Sequence, residues 1–239
     1  MNDDVAHHDF ALELRDVHAA YGTIEVLRGV DLAVPYGSLV ALLGPNGGGK
    51  STVLRVIASQ LPITRGELFI AGRMVNGVAP DELARRGVCL IPEGRGIFPN
   101  LSVRENLWMA THTGTPLREI EEIAFARFAP LGQRRRQLAG TLSGGEQQML
   151  AMARGLATNP ALLLLDELSM GLAPIVVEQL YEIVAQVAKE GVSIVVVEQF
   201  ARAILGIADG AGIMLRGRIT RFGTPDAVEA ELSTAYLGD

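Results

Sequence analysis

Between Gly44 and Thr52 the chain reads GPNGGGKST. Gly44, four intervening positions, Gly49-Lys50 and Ser51 stand at the spacing of a phosphate-cradling loop. The chemistry of such a loop is main-chain chemistry. Glycines at 44, 47, 48 and 49, with Pro45 and Asn46 between them, let N–H groups turn inward and approach an anion closely. A helix opening at Lys50, Ser51 and Thr52 adds unpaired N–H groups and a positive dipole end. Lys50 is long enough to reach the β- and γ-phosphates, and Ser51 can offer its hydroxyl to a magnesium ion. A glycine-rich turn that happens to precede Lys-Ser is the bland alternative. Context argues against it: Leu39–Leu43 is an apolar run of strand length, and Val53, Leu54, Val56 and Ile57 follow at helical spacing. The stretch therefore reads as a nucleoside triphosphate site.

Three further groups bear on that chemistry. ALLLLDEL ends an unbroken apolar strand on Asp166-Glu167. Adjacent carboxylates are common on surfaces, but beside a phosphate loop and at a buried strand's end they suit one magnesium partner and one base for an attacking water. LSGGEQQML begins a helix at residue 142, with Ser143 as N-cap and Glu146 as its reciprocal partner. It reads either as a well-capped helix or as a second anion site. Gly144 and Gly145 favour the second, since a cap alone does not need residues that cost helix stability. Tyr21, on the loop ahead of the phosphate loop, is either a base-stacking aromatic or a core residue at a strand end; a nucleotide nearby favours stacking.

The elements that must hold these groups alternate. Phe10, Leu12, Leu14 and then Val30, Leu32, Val34 alternate with polar residues, as in half-exposed antiparallel strands. GELFIAGRMVNG reads as strand, turn and strand, PDELARRG as a short helix, and VCLIP as a buried strand. From Glu93 to about residue 160 the pattern is helical, with Ser102 and Glu105 as a capping box and Thr115-Pro116 opening a helix. Residues 174–191 form an amphipathic helix with Val176, Leu180, Ile183, Val184 and Val187 inward. VSIVVVEQ is another buried strand, tipped by Gln199; a hairpin and a last helix close the chain. Repeated β and α segments imply a mostly parallel sheet whose strand ends gather ligand groups.

Composition narrows the class. With 239 residues, 49% of them apolar, the chain can bury a sizeable core. A formal charge of −6 gives no electrostatic reason to expect nucleic acid. The run Arg134–Arg136 reads as a solvated helix face, and Cys89, the single cysteine, as a small core residue. Apolar runs fall short of the ~20 residues a membrane span needs. The acidic start MNDDVAHHDF lacks a secretion-signal layout, so a cytoplasmic setting is expected.

From about Phe10 onward the chain resembles the ATP-binding cassette ATPases. The resemblance rests on an ordered set: Tyr21, the loop at 44–52, LSGGEQQ at 142–148 and LLLLDE at 162–167. Within that superfamily IPEGRGIFPNLSVRENL, GLAP and VVEQ are similar to the smaller cytoplasmic subunit of branched-chain amino-acid importers. It implies an α/β fold, a mostly parallel core sheet with an antiparallel N-terminal β-subdomain and an inserted helical subdomain. The expected bounds are a core at 10–92 and 160–239, a helical insertion at about 93–159, and an N-terminal tail at 1–9. The expected ligands are ATP and Mg2+.

The expected partner is a second such subunit, copy or paralogue, whose Ser143, Gly144, Gly145 and Glu146 close over the nucleotide of the first. Transmembrane permease subunits would hold the pair at the inner face of the cell membrane, with a periplasmic-type binding protein acting indirectly. Glu93 stands at the glutamine-loop position near magnesium, and Gln199 at the switch position usually held by histidine. Gln199 can donate to a phosphate oxygen but cannot titrate near neutral pH. Leu168 and Ala173 replace a usual proline and aspartate, and Gly48 a usual alanine or serine. The alternatives are a cassette for another substrate (urea, amide or lipid), a soluble cassette acting on ribosomes or DNA, and a nucleotide-gated module with no useful turnover.

Overall fold

The computed structural model describes residues 10–94, 96–199 and 202–237. The expected tail at 1–9, and Arg95 in the expected loop after Glu93, lie outside the described residues. The uninterrupted apolar runs become the centre of a six-stranded sheet: β3 (Leu39–Leu43), β6 (Val88–Ile91), β7 (Leu162–Asp166) and β8 (Ser193–Glu198), then β9 (Gly210–Leu215) and β10 (Arg218–Gly223). Their order is β10-β9-β3-β8-β7-β6. All pairings are parallel except the β9–β10 hairpin. Strands covered on both faces read as continuous hydrophobic runs, and β7 shows why. Leu163 and Leu165 enter one core cluster with Ala41, Ile194 and Val196. Leu162 and Leu164 enter the other, with Leu42, Val195 and Val197.

The second sheet contains β1 (Phe10–Tyr21), β2 (Ile24–Pro35), β4 (Ile63–Ile70) and β5 (Arg73–Met74), all antiparallel, in the order β2-β1-β4-β5. Its first two strands are 12 residues each, far longer than the two short alternating stretches expected. The cause is irregular pairing, with four register shifts between β1 and β2. Register shifts between Leu14 and Val17 and again between Val17 and His18. They move the buried set from Leu12 and Leu14 to Val17 and Ala19 on one strand, and from Leu27 to Val30, Leu32 and Val34 on the other. Asp16 at φ 45° and Gly29 at φ 76° take the unusual conformations. A period-2 pattern that changes phase midway looks like two strands.

Helices cover the sheets: α1 (Lys50–Ile57), α2 (Pro80–Arg85), α7 (Pro174–Lys189), α8 (Arg202–Leu205) and α9 (Pro225–Leu237). The inward face of α7 is Leu180, Tyr181, Val184 and Val187; Val176 and Ile183 are half-buried at its margin, and Tyr181 is an addition to the expected stripe. Between β6 and β7 lie α3 (Val103–Trp108), α4 (Leu117–Arg127), α5 (Ala129–Gln133) and α6 (Gly144–Leu156). Both predicted capping boxes form, Ser102 with Glu105 and Ser143 with Glu146. Arg134–Arg136, expected on a helix face, form a turn instead. Carbonyls there are taken by another element: Arg135 and Gln137 accept the N–H groups of Arg104 and Val103. Arg134 pairs with Glu146 at 3.0 Å, and Arg135 lies over the Phe125 ring. Among the described residues no helix is long and apolar enough to cross a membrane.

Because Leu164 is fully buried in the middle of β7, Leu164→Ala is expected to cost about 2–5 kcal/mol of stability. Chemical denaturation should show a lowered midpoint with an unchanged slope.

Candidate functional site

Three parallel strands end side by side. Leu43 of β3 pairs with Glu198 of β8, and Asp166 of β7 with Val197. The residues that follow, Gly44, Glu167 and Gln199, are therefore delivered to one edge of the sheet. Gly44 has φ 156°, and a Cβ there would stand 2.2 Å from the Met214 carbonyl oxygen. Gly48 is held against the same carbonyl: a Cβ would meet Met214 O and Pro45 O at 3.0 Å, and the Gly48 carbonyl accepts from Gly217 N at 2.9 Å. Glycine at 48, in place of a larger residue, is what this contact accommodates most easily. No side chain caps α1, whose N-cap is Gly49.

The loop borders a cleft of about 400 Å³ whose lining includes Tyr21, Asn46, Gly47, Gly49, Lys50, Ser51, Thr52, Glu93 and Glu167. Nine residues singled out in the sequence, Glu93 by resemblance and the others by type and spacing, thus meet in one place. Tyr21 is the last residue of β1 rather than a loop residue, yet it is 41% exposed and faces the cleft, not the core. Its hydroxyl accepts from Arg55 Nη1 at 3.2 Å. Arg55, one turn beyond Ser51 on α1, was missed in the sequence; a cation at that spacing was its only signal. Val26 and Met170 also line the cleft and carried no signal of their own.

Lys50 is buried. Its ammonium donates to Gly44 O at 2.9 Å and Pro45 O at 3.2 Å, and lies 3.4 Å from the Glu167 carboxylate. Glu167 itself is held at φ 48°, a left-handed conformation that costs a non-glycine residue about 1–3 kcal/mol and clusters at functional sites. Its amide donates to Val197 O at 3.0 Å, which fixes the turn. Behind it, Asp166 is buried and accepts the Ser51 hydroxyl at 2.8 Å. Burial raises the Asp166 carboxyl above its ordinary value; the Glu167 and Glu93 carboxylates add to the rise, while the Ser51 hydrogen bond and Arg55 oppose it. Main-chain donors, one ammonium and a hydroxyl–carboxylate pair form a cradle for a polyanion accompanied by a hard cation. Among the described residues, no three His, Cys, Asp or Glu side chains cluster as metal ligands. A cation here would rely on Ser51, Asp166, the anion and water.

The remaining residues lie apart. Ser143, Gly144, Gly145 and Glu146 begin α6 and are not among the cleft's lining. The Glu146 carboxylate accepts from Ser143 N and Oγ, each at 2.9 Å, and pairs with Arg134. Gly145 has a cause that the sequence argument overlooked: a Cβ there would meet Val176 Cγ1 of α7 at 2.5 Å. Helix packing, and not anion binding alone, excludes a side chain at that position. Gln199 directly follows β8, half-buried, and is likewise outside the lining. Cys89 lies in β6, its thiol pushed up to about 11 by burial, which removes it from nucleophilic chemistry.

Residues 27–169 match the family described as ABC transporter. The chain is 39% identical over 232 residues to the high-affinity branched-chain amino acid transport ATP-binding protein BraG of Pseudomonas aeruginosa, covering 95% of this chain and 99% of that protein. It is 33% identical to the probable branched-chain amino acid transport ATP-binding protein LivF of Archaeoglobus fulgidus, over 87% of this chain and 89% of the relative. Among solved structures it is similar to a nucleotide-free ATP-binding cassette from an ABC transporter: TM-score 0.83, 25% identity, 96% of this chain and 100% of the other.

The raised Asp166 carboxyl has a consequence for the ligand-free protein. A folded-state value above the unfolded one means stability is fully present below the unfolded value and declines as pH rises through the folded one. Asp166→Asn should therefore raise the melting temperature at pH 7, by about 2–4 °C for each kcal/mol recovered, and the gain should shrink as pH falls and vanish below the ordinary carboxylate value. A calorimetric melt of both proteins at two pH values checks it; an equal or lower melting temperature at neutral pH would contradict the electrostatic reading.

Proposed function

Because this chain belongs to the ABC transporter family, we propose that it is the ATP-binding and ATP-hydrolysing subunit of an importer of branched-chain amino acids. The observation that carries the catalytic half is the meeting of the glycine loop, buried Lys50 and left-handed Glu167 in one cleft. Lys50 already spends its donors on two main-chain carbonyls and a carboxylate. An entering phosphate offers that ammonium a stronger partner, and Glu167 is then released to take a proton from the attacking water. The loop amides and Lys50 hold the phosphate tail, with Gly44, Pro45, Asn46, Gly47, Gly48 and Gly49 as main-chain contacts and Thr52 beside them. Tyr21 stacks on the base, and Gln199 donates to the γ-phosphate.

Magnesium, held by Ser51 and Asp166 and faced by Glu93, would neutralise charge on the phosphate oxygens. Its fit rests on charge: buried Asp166 feels the Glu167 and Glu93 carboxylates, and a divalent cation lets that negative charge coexist with an anion. The off-cleft position of Ser143–Glu146 suits a head-to-tail pair of subunits, a copy or a paralogue, in which these residues cover the partner's nucleotide. Permease subunits would keep the pair peripheral to the cytoplasmic face of the membrane, with a periplasmic-type binding protein supplying the substrate. We assign residues 10–92 and 160–239 to the nucleotide-binding core and about 93–159 to a helical insertion. Support for the substrate is the relative matched over 99% of its length.

Lys50→Ala should lose ATP binding in a calorimetric titration; retained micromolar affinity would overturn the site. Glu167→Gln should bind ATP but release phosphate about 10²–10⁴-fold more slowly, and should accumulate an ATP-bound dimer. Steady-state phosphate release by the wild type, alone and with its permease, is the control. For the substrate, restored leucine uptake in a strain lacking its own importer, when this chain is supplied with its permeases, is the expected outcome.

A further inference from the structure

One buried carboxylate has no part in the site above. Glu198, the last residue of β8, is 1% exposed. Tyr181 Oη donates to its Oε1 at 2.6 Å, Ser169 N to the same oxygen at 3.0 Å, and Ser169 Oγ to Oε2 at 2.7 Å. Every partner is a donor, which matches a group that only accepts when ionised. Three donors arrive from two elements: the loop that leaves Glu167, and α7, into which that loop runs. An apolar residue would fill the space without the desolvation penalty of a carboxylate. What an apolar residue cannot do is hold Ser169 by both its amide and its hydroxyl.

The two anchors on β8 are consecutive. Val197 O accepts the Glu167 amide, and the Glu198 carboxylate accepts Ser169 two residues on. Between them the chain makes its left-handed turn at Glu167 and buries Leu168. Beyond them it exposes Met170 at the cleft. Resting on the ATP-hydrolysing reading, we propose that Glu198 is a positioning residue for that reaction, fixing through Ser169 and Tyr181 the turn that presents Glu167. It lies outside the cleft's lining, and it is the strand residue from which Gln199 departs. Burial raises the Glu198 carboxyl above its ordinary value, and the nearby Glu167 adds to this, whereas the Tyr181 and Ser169 hydrogen bonds hold it down.

The test measures kcat for phosphate release, and ATP affinity by titration, on the full chain. Glu198→Ala should lower kcat about 10- to 100-fold while ATP affinity stays within about threefold, because a base displaced by ~1 Å loses rate and not binding. Glu198→Gln keeps an acceptor and similar shape, so it should recover most of that loss. Should Glu198→Ala fail to fold, the double variant Ser169→Ala/Tyr181→Phe removes both hydroxyl donors, leaves the carboxylate, and should lower kcat about tenfold with affinity unchanged. A variant kcat within about twofold of the wild type would overturn the proposal, as would affinity and kcat falling in step, or a glutamine variant as slow as the alanine one. An active wild type with an equally active Glu198→Ala overturns this proposal alone. A wild type that turns over no ATP overturns the hydrolytic reading and this proposal with it.

Discussion

An ammonium removed from water must be surrounded by oxygen, and the geometry of this fold follows from where Lys50 finds it. Two oxygens are carbonyls of its own loop, Gly44 and Pro45, and the third is the Glu167 carboxylate. The loop carbonyls can face inward only if the chain folds back on itself, which the glycines permit. The carboxylate can face inward only if residue 167 adopts a left-handed backbone. The second requirement is local strain, and both are met because β3 and β7 flank β8 and end level with it. With a phosphate present, the same ammonium has a stronger partner. The resting arrangement is a charge balance that an anion can replace one contact at a time.

Such a balance needs rigid walls. The β9–β10 turn supplies one: Gly217 donates to the Gly48 carbonyl while its own carbonyl accepts from Arg28 N, so a single residue braces the phosphate loop against β2. The Met214 carbonyl supplies another, close enough to Gly44 and Gly48 to keep side chains out of the loop. The cleft is thus framed by main chain, whose positions are set by sheet hydrogen bonds and not by rotamers. Tyr21 and Arg55 are the side-chain part of the frame, joined through one hydroxyl.

Features tied to local pattern were legible in the sequence. The glycine loop, both capping boxes and the apolar strands each depend on residues adjacent in the chain, and each lies where its spacing put it. Features that depend on contacts between distant segments were not. The bulges at Asp16 and Gly29 exchange the buried and exposed faces of a strand, so alternation alone hid its length. The Arg134–Arg136 turn is dictated by the start of α3, some 30 residues earlier, which takes carbonyls a helix would need. The packing reason for Gly145 was hidden because its neighbour, Val176, is on another helix. Glu198 looked like one more residue of a strand end, since the donors that define it come from residues 169 and 181.

The same distinction separates the cleft from the start of α6. The cleft gathers groups from the ends of β3 and β7 in one sheet and of β1 in the other, so its geometry is set by the two sheets. Ser143 and Glu146 satisfy each other within α6, and Arg134 neutralises the glutamate from outside, so their geometry is internal to the helical segment. Gly145 links the two, because the packing that excludes a side chain there sets α6 against α7. The same helix contributes Tyr181 to the carboxylate that fixes the turn at Glu167.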